Sequence, residues 1–70
     1  MEAETETYLY AVKTRDCELA YCHLATSAVL AAKKHVKEYV GESRMAKVYA
    51  LVAPDANLEE ARSIIVLVTV

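Results

Sequence analysis

Three apolar stretches and one amphipathic stretch organise the chain. Tyr8-Leu9-Tyr10-Ala11-Val12 is β-prone and unbroken, so Thr7 to Thr14 reads as a strand. Lys47 to Ala53 reads as another, stopped by Pro54, which cannot extend a hydrogen-bond ladder as a central residue. The last, Ile64 to Val70, is an almost continuous β-branched run. Since it does not alternate, both of its faces need cover. Between the first two lies Ala28–Val40, rich in strong helix formers. Val29, Ala32, Val36 and Val40 recur at the helical period, with Lys33, Lys34 and Lys37 mostly outside that stripe. Ser27 precedes it as an N-cap, and Gly41 follows it where a left-handed residue closes helices. Asn57 with Glu60 three residues on has the form of a capping box, which predicts a turn or two of helix before the final strand.

Residues 16–26 read two ways. Glu18 to Thr26 can form a second strand that closes a hairpin through Arg15-Asp16-Cys17-Glu18, or the helix can begin at Asp16. A helix from Asp16 to Val40 would span ~37 Å, whereas seven- or eight-residue strands span ~25 Å. That mismatch favours the hairpin, as does Thr26-Ser27, a pair weak inside a helix and strong before one. Centred on Asp16-Cys17, the hairpin sets Val12 opposite Tyr21 and Tyr10 opposite His23. One face then carries Tyr8, Tyr10, Val12, Leu19, Tyr21 and His23; the other carries Leu9, Ala11, Ala20, Cys22 and Leu24. The second set is smaller, and the expectation is that the helix covers it and leaves the tyrosine face exposed.

The predicted fold is α+β: a small antiparallel or mixed four-stranded sheet with one main helix on one face, in the order ββαβ(α)β. The alternative is βαββ with one long helix. Seventy residues make a single domain, 1–70, with 1–6 as a frayed N-terminus. Composition sharpens this picture. Chains this short bury only ~60% of the surface they expose when unfolded, yet 56% of the residues are hydrophobic. A surplus of apolar surface predicts a homodimer or higher homo-oligomer. Tyr8, Tyr10, Tyr21, His23, Tyr49, Val66 and Val68 are the expected interface residues, because tyrosine buries area while keeping a hydroxyl for polar contact.

Charge narrows the partners. Eight Lys+Arg against ten Asp+Glu leave a net charge of −2, which argues against nucleic acid as a partner. Lys33, Lys34, Lys37 and Arg44 form a weak basic patch, read here as a solvated face. No apolar run approaches the ~18 residues of a membrane span. The acidic start lacks the basic region of a signal peptide, and two cysteines do not make a disulfide framework. The expected location is the cytoplasm, and the expected partner is another copy or another protein.

Little catalytic vocabulary is present. Cys17-x4-Cys22-His23 with a lone His35 is a poor match to zinc spacings, so no metal is expected. A nucleophile could be drawn from Cys17 or Cys22 with His23 or His35 as base, but nothing in the sequence orients such a set. The chain is read as no enzyme, with no cofactor. With the long helix, strand-helix-strand-strand resembles the dodecins, small flavin-binding proteins that assemble into hollow shells; their stacking tryptophan has no counterpart here. With the hairpin, residues 7–53 look like many small proteins of phages and other mobile elements, some of which inhibit host defences. The expected function is a homo-oligomeric protein-interaction or adaptor module. The alternative is a carrier of a flat aromatic or flavin-like ligand, held in a pocket between subunits.

Overall fold

β1 (Tyr8–Lys13), β2 (Tyr21–Ala25), α1 (Ala28–Tyr39), β3 (Arg44–Leu51) and β4 (Arg62–Val68) follow one another along the chain. They come from a computed structural model that describes residues 6–70. The expected fraying of the N-terminus falls mainly on residues 1–5, outside the described residues. The strands form one antiparallel sheet in the order β2-β1-β3-β4. This is the α+β fold expected, with the hairpin in place of the long helix.

The hairpin keeps the anticipated register, Val12 opposite Tyr21 and Tyr10 opposite His23. Its connection is looser than a tight turn. The Cys17 N–H donates to the Thr14 carbonyl at 3.3 Å, and the chain then runs on to Tyr21 without strand pairing. Absence of a glycine at the tip accounts for this, since two-residue hairpin turns need positive φ. β2 therefore begins three residues later than expected.

The helix ends as its sequence dictates. Ser27 Oγ accepts from the Leu30 N–H at 3.3 Å, and the Val40 and Gly41 N–H groups both donate to the Val36 carbonyl, at 3.0 and 2.8 Å. Gly41 has φ +81°, the left-handed conformation that a side chain would penalise. Before β4, the expected short helix is instead a pair of consecutive turns, with Glu60 N–H donating to the Asn57 carbonyl and Ala61 N–H to Leu58. Asn57 still caps: its Oδ1 accepts from the Glu59 N–H at 3.0 Å.

Val12, Ala31, Ala32, Val36, Ala46, Val48 and Val68 form the core between helix and sheet. All are alanine or valine, so each encloses little apolar area. The helical stripe is rotated from the one expected. Ala31, Ala32, His35 and Val36 are buried, while Val29 is exposed. Reading His35 as polar and Val29 as apolar set the wrong centre for the stripe.

Candidate functional site

The helix lies on the opposite sheet face from the one expected. Tyr10 packs against the core, and Val12, His23, Val48, Val66 and Val68 are on the helix side with it. The correction has a physical cause. Alanines make up much of the helix underside, and the larger tyrosine and valine side chains of the sheet fill the space they leave. Counting small residues on the sheet alone pointed the wrong way. The face left open carries Leu24, Met45, Ile65 and Leu67, which are 59%, 55%, 57% and 64% exposed. Ala11 is buried on that face because Cys22 and Tyr49 flank it across the two neighbouring strands.

Two lysines interrupt the open face. Lys13 and Lys47 sit opposite each other on β1 and β3, a like-charge pairing that costs unless each finds its own partner. The Lys13 ammonium turns to the backbone, donating to the Thr14 carbonyl at 2.7 Å and also to the Cys17 carbonyl. The Lys47 Nζ lies 5.3 Å from the centre of the Tyr49 ring, a cation–π contact.

The tyrosines thus do not share one surface. Tyr8 donates its hydroxyl to Glu6 at 2.8 Å, which raises the Tyr8 pKa, and Tyr49 belongs to the open face. Tyr21 and Tyr39 meet edge to face at 4.8 Å beside the two histidines. His23 Nε2 and His35 Nδ1 are 2.9 Å apart, a hydrogen bond inside the protein. His35 is wholly buried, and its Nε2 has no partner among the described residues. A buried bare acceptor costs less than a buried orphan N–H. The pair is therefore assigned with His35 Nδ1–H donating to His23 Nε2, leaving the second proton on His23 Nδ1.

The surroundings favour the neutral form of both rings. Burial first, then the Lys34 ammonium, lower the His23 pKa against an opposing pull from Glu38. Burial and then His23 lower that of His35 against Glu38 and Asp16. Neither cysteine joins them: Cys22 is exposed on the far side of the sheet, and Cys17 sits in the hairpin connection. Among the described residues, no three His, Cys, Asp or Glu side chains converge as a metal site.

The basic patch divides. Arg44 is held by Asp16 at 2.8 Å and Glu42 at 2.6 Å, and the Arg44 hydrogen bond lowers the Asp16 pKa. Lys33, Lys34 and Lys37 remain exposed, and Lys33 and Lys37 border a cleft over Val68, Thr69 and Val70. A second cleft lies where Ala50, Asn57, Glu60 and Arg62 meet. No helix among the described residues is long and apolar enough to cross a membrane. Compared with known protein families, curated proteins and solved structures, the chain matches none.

Proposed function

We propose that this chain is a non-catalytic, homo-oligomeric interaction module whose assembly surface is the open sheet face together with β4. One observation carries the reading: the sheet has helix cover on one face, while Leu24, Met45, Ile65 and Leu67 stand exposed on the other. Large apolar side chains exposed on an uncovered sheet face support an interaction surface there, densest where Met45, Ile65 and Leu67 adjoin. On this reading the apolar surplus inferred from composition lies on the face opposite Tyr10 and Tyr21. Free thiols at Cys17 and Cys22 suit the reducing cytoplasm.

Light scattering on the purified chain at micromolar concentration tests the proposal. A mass of two or more copies is expected, and Leu67→Lys is expected to shift it toward the monomer. A monodisperse monomer of the unaltered chain would sink the reading.

A further inference from the structure

β4 is the sheet's outer strand on one side, and from Ser63 to Val70 it has no charged residue, proline or glycine. Edge strands in monomeric proteins are usually blunted by charge, proline, a bulge or short length. β4 has seven residues, against five in β2, the other edge. Its side chains also leave apolar surface on both sides of the sheet, Ile64 on the helix side and Ile65 and Leu67 on the open side. A strand of this kind is completed by another strand.

We infer that two copies join through β4, antiparallel about a two-fold axis at Ile65 and normal to the sheet. The inference rests on the homo-oligomeric reading above and specifies its geometry. Ile65 is the midpoint of Arg62–Val68, so this register uses the whole strand. Each Ile65 meets its counterpart, Leu67 meets Ser63, Val66 meets Ile64 and Val68 meets Arg62. An isologous contact of this sort closes at two copies and leaves no repeating edge. Opposite residues have the same strand parity, so both helices lie on one side and both open faces merge on the other. The product is one eight-stranded sheet.

Charge complementarity selects a second copy as the occupant. Lys33 and Lys37 border the cleft over Val68–Val70. Arg62 of the other copy falls opposite Val68, and the turns just before it carry Glu59 and Glu60 to the same end of the strand pair. Each of the two symmetric contacts then sets two lysines against two glutamates. Arg62, opposite Val68, adds one further positive charge. The asymmetry has a consequence: converting the glutamates to lysine makes the contact wholly positive, whereas converting the lysines to glutamate leaves Arg62 as a counterion.

Cysteine placement and charge reversal test the geometry together. In a Cys17→Ser, Cys22→Ser background, Ile65→Cys is expected to form a disulfide-linked dimer in a glutathione redox buffer, because opposed antiparallel Cα atoms stand ~4.5–5.5 Å apart. Met45→Cys, exposed on the same open face but on β3, is expected to stay reduced. A dimer that links through Met45→Cys and not Ile65→Cys overturns the edge pairing while leaving the homo-oligomer standing; a monomer overturns both. Lys33→Glu with Lys37→Glu is expected to weaken the dimer about tenfold, and Glu59→Lys with Glu60→Lys more than that. Combining all four should restore it to within about threefold. Weakening by either pair without rescue in the quadruple variant would overturn the lysine–glutamate contact.

Discussion

The two edges of the sheet are finished in different ways. β2 is short and reaches the helix through Thr26 and Ser27, with no room between for slack. Its inward side chains are clamped: His23 bonds His35, and Tyr21 packs edge to face against both His35 and Tyr39. β4 is longer, more apolar, and arrives after the connection at residues 52–61. Just past its end, the Val70 N–H donates to Ser43 Oγ at 3.2 Å. Apolar character therefore does not by itself finish an edge. The less apolar strand is held by polar and aromatic contacts within the protomer, and the more apolar strand keeps surface to spare.

Removing the clamp gives the largest expected effect. His35→Ala deletes a wholly buried ring at the centre of the aromatic cluster and leaves a cavity between β2 and the helix. Loss of a buried aromatic side chain costs on the order of 3 kcal/mol, a large fraction of the stability of a domain this size. Urea unfolding should show the loss, and hydrogen exchange should place it in β2. By contrast, Ile65→Lys on β4 should change assembly with little loss of protomer stability, since Ile65 is over half exposed. Equal destabilisation by the two would erase the distinction between a clamped edge and a free one.

Acid should weaken the same clamp by a smaller amount. The neutral pair carries one shared proton and one outer proton; adding a third fills both outer nitrogens. His35 Nε2 would then hold a buried N–H with no acceptor among the described residues. Burial, with the Lys34 charge at His23 and the His23 charge at His35, lowers both pKa values below the ordinary 6.5. Below pH 6.5 the unfolded chain therefore binds more protons than the folded one. The stabilisation is complete above pH 6.5 and is lost as pH falls from there through the lowered folded values. Asp16 acts in a separate window, because its depressed pKa keeps its contribution intact until pH falls below 3.8. Urea midpoints between pH 8 and 5 should decline, and the decline should flatten in a His23→Phe, His35→Leu variant. An unchanged slope in that variant would remove the pair as its origin.

Tyrosine substitutions now bear on the same contrast. Tyr10 packs against the core and Tyr21 against Tyr39, so their loss should act on folding before assembly. The register of these residues was legible in the sequence because a hairpin's centre fixes every cross-strand pair at once. Ser27 and Gly41 were legible because caps are local chemistry. The covered face was not, since it depends on how two surfaces of small and large residues fit together. Nor was the histidine pair: His23 and His35 are twelve positions apart on different elements. One signal was available for it. The hairpin register put His23 beside the tyrosines, and a helix over that face would bring down His35 one turn before Tyr39.

The helix cap provides the smallest perturbation and separates fold from assembly most cleanly. Ser27 joins the end of β2 to the first turn of α1, with its hydroxyl accepting from Leu30 N–H. Ser27→Ala should cost about 1 kcal/mol, read as a lowered urea midpoint. It should also raise hydrogen exchange first at the start of α1, next to β2. The cap is at the opposite end of the helix from Lys37, which borders the end of β4. Dimer dissociation should therefore be unchanged when measured at a temperature where the variant is still folded. If the cap variant instead weakens assembly in step with its lost stability, the two edges are not independent. Folding of the protomer and pairing of β4 would then form a single cooperative event, as in obligate dimers that have no stable monomer.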